Sequence, residues 1–245
     1  MSTDTSVTDG GEREPRLSAL LLDIFASPRN AFAALALRPM VLWPLLAITI
    51  GNGLLVFLYY LEVDFVWMLE TTFEAQGRQV PPELSRGGGT AQAMGLVTGT
   101  MGGISTGIFV LVVMLLFAGY LSLVSLLTSD GIPYKRWLAL VAWSAVPTLL
   151  DTLAGLVNLV LNDFTHRLPA EINVLSFGSL LGIDPAAVGW LETLAHQVSI
   201  TTIWAIVLMV LGYEIWTGKS AGAALGIVTA PLLVIIGIRI VIAVL

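Results

Sequence analysis

The 245-residue sequence has no cysteine and few charged residues, which make up 11% of the chain. Without cysteine, disulfides, iron–sulfur clusters and thiol catalysis are excluded. A soluble globular domain carries about 25% charged residues, because water must solvate its surface. The 11 Lys and Arg residues and the net charge of −6 do not fit a nucleic-acid partner, which needs clustered basic side chains. A surface that faces lipid explains the shortage of charge directly.

A convergent set of catalytic or metal-binding residues is also missing from the sequence. We find no Ser/His/Asp set and no helical His-Glu-x-x-His. The two histidines, His166 and His196, lack ligand spacing, and we interpret both as solvated residues at the outer membrane edge. The triplet Gly87-Gly88-Gly89 has no following Gly-Lys-Ser/Thr and is not a phosphate cradle. We therefore predict no enzymatic activity, no cofactor and no bound metal.

Five stretches are apolar and long enough to cross a bilayer, which takes about 20 residues as a helix. They are residues 41–60, 105–128, 137–161, 197–216 and 221–245. The second lies within an uncharged stretch longer than one span, so its helix should project beyond the bilayer. We predict an all-α polytopic membrane helix bundle with five transmembrane helices. It forms one domain, residues 17–245, behind a disordered tail, residues 1–16.

The basic residues predict the orientation of these spans, because cytoplasmic loops carry an excess of Lys and Arg. With five spans, one side of the membrane receives the N-terminal segment, the loop 129–136 and the loop between spans four and five. These segments hold Arg13, Arg16, Arg29, Arg38, Lys135, Arg136 and Lys219. We therefore expect a cytoplasmic N-terminus and a C-terminus on the other side.

Two apolar pieces are too short or too interrupted to span. Residues 17–37 predict one or two amphipathic helices, with Ser27 as N-cap and Pro28 at the first helical position. They would lie on the cytoplasmic leaflet or serve as a support for the first span. Residues 168–193 contain several Pro and Gly, and we expect short helices on the outer face. A re-entrant segment is the alternative.

Asp151 is a carboxylate near the middle of span three, where an unpaired charge costs about 2.5–3.5 kcal/mol. We predict that it faces the bundle interior and finds polar partners. The candidate partners are Ser144, Thr148 and Asn158 on its own helical stripe, and Arg239 in span five. Asp151 would be a structural clamp or, alternatively, part of a proton or ion relay.

Glycines at four-residue spacing mark a second candidate feature, because small residues allow two membrane helices to approach closely. The stripe comprises Gly95, Gly99, Gly103 and Gly107 in span two, and Gly222 and Gly226 at the start of span five. We expect them to pack against helices of the same chain. A homo-oligomer interface is the alternative.

The order of these features resembles the Yip-domain family, five-span membrane proteins named for interaction with Rab-type GTPases, and in particular its bacterial branch. The resemblance rests on Ile24-Phe25-Ala26-Ser27-Pro28, on the loop Gly131 to Arg136 leading into Trp137, and on Ile203-Trp204, Gly212 and Lys219-Ser220. It implies a non-enzymatic membrane protein that organises partners or membranes.

Two functional hypotheses follow. The first is a scaffold or adaptor in a bacterial inner membrane, or in a secretory-pathway membrane, with a protein partner at the N-terminal segment. The second is a small transporter or channel that uses Asp151.

Overall fold

The computed structural model describes residues 17–79, 89–187 and 189–244. The predicted tail, residues 1–16, and the side chain of Arg239 lie outside the described residues. Five helical stretches in the described part are long and apolar enough to cross a membrane: Leu42–Glu62, Ala93–Leu127, Tyr134–Leu161, Ile200–Thr217 and Ala221–Ile238. The predicted five-span, all-α bundle is confirmed.

Eleven α-helices occur in the described residues. They are α1 (Leu17–Ala26), α2 (Pro28–Leu37), α3 (Leu42–Glu62), α4 (Phe65–Ala75), α5 (Gly89–Leu127), α6 (Tyr134–Ser144), α7 (Leu149–Leu161), α8 (Phe177–Leu180), α9 (Trp190–Gln197), α10 (Ile200–Thr217) and α11 (Ala221–Val244). Local chemistry sets several boundaries. Pro28 occupies the first turn of α2, the Asp64 carboxylate caps α4, and Gly218 ends α10 in the left-handed conformation that glycine adopts without strain.

The helices α3 and α5 form an antiparallel hairpin in which the two backbones nearly touch. A Cβ atom added at Gly53 would lie 2.6 Å from the carbonyl oxygen of Gly103, and one at Gly103 would lie 2.6 Å from that of Gly53. Farther along, Gly99 faces Tyr60 and Gly107 faces the backbone of Thr49. Small residues therefore set the distance between these helices, as dispersion contacts in lipid require.

The C-terminal part of α5 continues well past the N-terminal end of α3. Its 39 residues measure about 58 Å, roughly twice the thickness of a hydrocarbon core. The extra length packs on later helices: the Tyr134 hydroxyl donates to the Leu115 carbonyl at 3.1 Å, and the Tyr120 hydroxyl donates to the Ile227 carbonyl at 2.9 Å. This agrees with the expectation that the second span projects beyond one bilayer thickness.

The N-terminal helices α1 and α2 are part of the main hydrophobic core. Ile24, Phe32 and Leu35 have no exposed surface. The Trp216 indole donates to the Phe32 carbonyl at 2.8 Å, and the two rings pack edge to face at 6.5 Å. The predicted helical pair is present, and its buried face supports the bundle as one of the two alternatives proposed.

Candidate functional site

The third span is interrupted directly before Asp151. α6 ends at Ser144, a short 3-10 turn covers Val146–Thr148 around Pro147, and α7 restarts at Leu149. Proline breaks a helix because it has no N–H to donate and its ring clashes with the preceding turn. Asp151 therefore sits in the first turn of α7, where the helix dipole favours a negative charge.

Asp151 lies beside the middle of α3, itself a candidate span. The neighbouring Thr152 side chain would be 3.3 Å from a Cβ atom at Gly51. Gly51 is nine residues, or about 14 Å, along α3 from Leu42. The carboxylate is thus placed well inside the bundle and far from the ends of α3.

Two hydroxyl groups from the start of span four satisfy one carboxylate oxygen of Asp151. The Ser199 Oγ donates to Oδ2 at 2.7 Å, and the Thr201 Oγ1 donates to the same atom at 2.5 Å. Ser199 is the N-cap of α10, so the carboxylate lies at the N-terminal ends of two helices at once, α7 and α10. Both helix dipoles stabilise its charge. The other oxygen, Oδ1, is buried without a hydrogen-bond partner among the described residues.

Ser199 connects this carboxylate to the segment between spans three and four. Its Oγ also accepts from the Thr202 amide at 3.1 Å. Its backbone pairs with that of Ser176 in an isolated antiparallel bridge, in which the Phe177 amide donates to the Val198 carbonyl at 2.9 Å. The start of α8 is therefore held next to the start of α10.

The same segment begins next to the C-terminal end of α3. The Asp64 amide donates to the Thr165 carbonyl at 2.8 Å, and the Tyr59 hydroxyl donates to the Arg167 carbonyl at 2.9 Å. From there the chain descends to Ser199, half-way along α3. Short helices α8 and α9 are present as predicted, and the segment between spans three and four reaches as deep into the bundle as Asp151.

His196 is part of this segment and is not solvated as predicted. Both ring nitrogens are buried and have no hydrogen-bond partner among the described residues. The ring lies directly on the backbone of Gly178, where an added Cβ would be 2.2 Å from Nδ1. Only a glycine leaves room for the imidazole there. His166, in contrast, packs edge to face against Trp67 at 5.2 Å.

The structure corrects the expected origin of the partners of Asp151. Thr148 donates to the Ala145 carbonyl at 2.8 Å, and Asn158 donates to the Glu171 carbonyl at 2.9 Å. Ser144 is buried, and its hydroxyl has no partner among the described residues. Thr148 and Asn158 therefore bond to their own turn or to the segment between spans three and four. The predicted partner Arg239 lies outside the described side chains.

The glycine candidates divide into two groups. Gly99, Gly103 and Gly107 face α3 within the same chain. Gly222 and Gly226 do not pack as expected, since a Cβ at either position would meet nothing within 4 Å. They lie on the exposed side of α11, whereas Ala224 and Val228 form its buried side.

One short catalytic sequence pattern does occur in the chain. Residues Gly103 to Gly107 read Gly-Ile-Ser-Thr-Gly, the letters of a hydrolase nucleophile motif. That chemistry needs a sharp strand-to-helix turn that exposes the serine. Here the five residues lie inside the continuous helix α5, and Ser105 donates to the Gly102 carbonyl at 3.1 Å.

At the opposite end of the bundle from Thr165, an ion pair joins two loops. The Lys219 ammonium lies 2.5 Å from the Asp130 carboxylate and also contacts the Thr128 hydroxyl. Partial burial opposes ionisation of Asp130, but the hydrogen bonds from Lys219 and Thr128 outweigh it and lower the pKa of Asp130. For Lys219, burial is likewise outweighed by the bonds to Asp130 and Tyr213, and the pKa is raised.

A family model of the Yip1 domain matches residues 22–242, nearly the whole chain. The chain belongs to the Yip1 family. No curated protein and no solved structure matches it.

Three residues that carry the Yip1 resemblance, Trp137, Gly212 and Lys219, lie at one end of the bundle, whereas Ile203 and Trp204 are exposed near the start of α10. Trp137 stacks on Tyr213 with ring centres 5.3 Å apart. A Cβ at Gly212 would lie 2.3 Å from the Leu140 side chain and 3.0 Å from the Phe32 ring. Lys219 closes the same end through Asp130. In this Yip1 protein these positions hold α2, α6 and α10 together.

Sequence reasoning missed Ser199 and Thr201 as partners of Asp151. A signal was present, because Ser199 precedes a long apolar run and Thr202 stands three residues later. This is the pattern of a reciprocal cap, and the structure has it: each side chain bonds the other's backbone amide. The cap fixes the start of span four at Ile200. It does not by itself indicate which carboxylate lies opposite.

Proposed function

We propose that this Yip1-family membrane protein is a non-enzymatic adaptor, and that α1 and α2 present the surface on which a protein partner docks. The supporting observation is the two-sided character of this helical pair. One side is buried in the core, as described for Phe32 and Leu35. The other exposes Leu22 to 72% and Leu37 to 79%, with Phe25 also exposed.

Rigid anchoring distinguishes this pair from a flexible tail. The Trp216 indole bonds to the backbone of Phe32, and the Trp143 indole donates to the Met40 carbonyl at 2.6 Å. A surface held by these two indole bonds is pre-organised, so binding a partner costs less conformational entropy. In this proposal, the end of the bundle with α1, α2 and the Lys219–Asp130 pair faces the cytoplasm, as the basic loops predict.

Asp151 is, in this proposal, a structural residue that fixes span three to the start of span four. The hydroxyl groups that donate to it are 48 and 50 residues away in the sequence, so these bonds fix the position of span four relative to span three. The transporter alternative makes a different prediction. Proton-coupled flux in liposomes that is lost on Asp151→Asn, with the variant still folded, would overturn the adaptor assignment.

The adaptor proposal is tested by site-specific photocrosslinking in native membranes. Deleting residues 1–37 is unsuitable, because it removes the core residues Phe32 and Leu35. A photoreactive amino acid is placed instead at Leu22 or Leu37, with Gln76, exposed after α4 at the other end of α3, as the matched control. We expect protein adducts of defined mass from positions 22 and 37 only. Exclusively lipid adducts at both positions would show that α1 and α2 face the membrane and not a partner.

A further inference from the structure

A cleft at the end of α5 is lined by three serines, one glycine and three aliphatic residues, and most of its surface is apolar. Its volume is about 380 Å³. The lining residues are Ser122, Leu123, Ser125, Leu126, Ser129, Gly131 and Ile132. None of these residues takes part in the fastening of Asp151 or in the surface of α1 and α2.

Ser125 gives the first indication of a ligand. Its residue surface is 2% exposed, and its Oγ has no hydrogen-bond partner among the described residues. A buried hydroxyl without a partner costs about 1–3 kcal/mol, so such groups are usually satisfied by something. A hydroxyl can turn about its χ1 angle to donate to an acceptor in the cleft.

The start of α6 gives the second indication. The chain passes from Gly131 and Ile132 in the cleft into this 11-residue helix, which has no side-chain cap and no acidic residue in its first turn. Instead Lys135 and Arg136 stand there, although a helix N-terminus already carries partial positive charge. Neither side chain has a hydrogen-bond or ion-pair partner among the described residues. Like charges on a positive helix end are unfavourable unless an anion offsets them.

The surroundings of the cleft indicate what kind of anion fits. Leu123, Leu126 and Leu127 on the last turns of α5 are all strongly exposed. Two of these leucines also line the cleft, so an apolar surface continues from the serines of the cleft along α5. Lys135 and Arg136 follow the cleft residues Gly131 and Ile132 in the chain, and the nearby Asp130 carboxylate is already paired with Lys219. A ligand with a phosphate group and hydrocarbon chains matches both parts at once, whereas a soluble phosphate compound matches only the first.

We propose that this cleft binds the phosphate group of an anionic phospholipid. Lys135, Arg136 and the backbone amides of Tyr134 and Lys135 attract the phosphate, and Ser125 donates a hydrogen bond to it. The acyl chains lie along the exposed leucines of α5. The protein thereby selects a lipid by its headgroup, at the same end of the bundle as the Lys219–Asp130 pair.

The test measures thermal unfolding of the full chain in a neutral detergent with three additives. These are short-chain phosphatidylglycerol, short-chain phosphatidylcholine and glycerol 3-phosphate. We expect a saturable rise in Tm with phosphatidylglycerol only. Equal effects of the two lipids would overturn the proposal, and equally tight binding of glycerol 3-phosphate would assign the cleft to a soluble phosphate compound instead.

Variants then locate the binding. Lys135→Gln with Arg136→Gln should weaken the apparent Kd for phosphatidylglycerol about tenfold or more, since it removes two charge-assisted contacts. Ser125→Ala should weaken it about threefold. The control is Arg29→Gln, an exposed basic residue on α2, which should change Kd less than about twofold. If Arg29→Gln weakens binding as much as the double variant, the attraction is diffuse and no headgroup site exists. Gel filtration checks folding, and the single variants at positions 135 and 136 replace the double variant if it aggregates.

Discussion

The hydrogen bond from Thr201 to Asp151 can be removed with almost no change of shape. Thr201→Val keeps the volume of the side chain and deletes the hydroxyl that lies 2.5 Å from Oδ2. A hydrogen bond to a charged group contributes about 1.5–3 kcal/mol. Because a whole protein is stable by only about 5–15 kcal/mol, the loss should be easily measurable. Ser199→Ala should cost about 0.5–2 kcal/mol more, since Ser199 also caps α10.

A double-mutant cycle separates this bond from the general cost of each substitution. Unfolding of the purified protein is followed by tryptophan fluorescence for Thr201→Val, Asp151→Asn and the combination. Hydrogen-bonded neighbours couple by roughly 1–2 kcal/mol. Thr148→Val is the matched control: its hydroxyl is also near Asp151 in sequence but donates to the Ala145 carbonyl, so its coupling should stay below about 0.5 kcal/mol.

If Thr201→Val leaves the free energy of unfolding unchanged and shows no coupling energy with Asp151→Asn, the bond from Thr201 to Asp151 does not stabilise the fold. The carboxylate would then be satisfied by other groups. The predicted pair with Arg239 is the first to examine, by the cycle of Asp151→Asn with Arg239→Gln. Removing one member of a buried ion pair costs more than removing both, so coupling in that cycle would assign the guanidinium to Oδ1.

Three further predictions concern packing, pH and topology. Gly103→Ala should lower Tm, because the new Cβ would lie 2.6 Å from a backbone oxygen, whereas Gly226→Ala should not, since nothing lies within 4 Å; equal shifts would contradict the close α3–α5 contact. The pKa of Asp130 is lowered, so its ion pair with Lys219 stabilises the fold fully above the unfolded pKa of about 4. This stabilisation is lost as the pH falls through the lowered pKa, so the decrease of Tm in acid should be smaller in Asp130→Asn than in the unchanged protein. In the cysteine-free chain, Ala33→Cys and Gln76→Cys should label from opposite sides of the membrane, and labelling from the same side would rule out the predicted topology.

Length and composition predicted the number of spans and most of their bounds, but the second span, predicted at 105–128, begins at Ala93. The first predicted span, 41–60, corresponds to Leu42–Glu62, and the fourth, 197–216, to Ile200–Thr217. These predictions hold because the bilayer imposes one length and one chemistry on every span. The contact of Gly103 with α3 could not be derived in the same way. Glycine spacing indicates a close approach but does not name the helix that approaches.

The partners of Asp151 could not be predicted from the sequence, because they are distant from it along the chain. The helical stripe of Ser144, Thr148 and Asn158 is a local pattern, and local patterns cannot show a chain that returns from the other end of α3 to bring Ser199 alongside. The packing predicted for Gly222 and Gly226 was wrong for a related reason. Their spacing is right for packing, but the rotation of α11 turns Ala224 and Val228 inward instead.

The indole bond from Trp216 to Phe32 has a consequence for how the chain is made. Its two ends are 184 residues apart, and ribosomes add roughly 5–20 residues per second. The side chains of α1 and α2 that will be buried therefore wait roughly 10–40 seconds for α10 to be synthesised. During that interval α2 can pack on α6, but Phe32 still lacks its contact with Trp216. The first helices of this protein are among the last to reach their native contacts, and biogenesis factors that shield an emerging N-terminus should affect its yield more than its final stability.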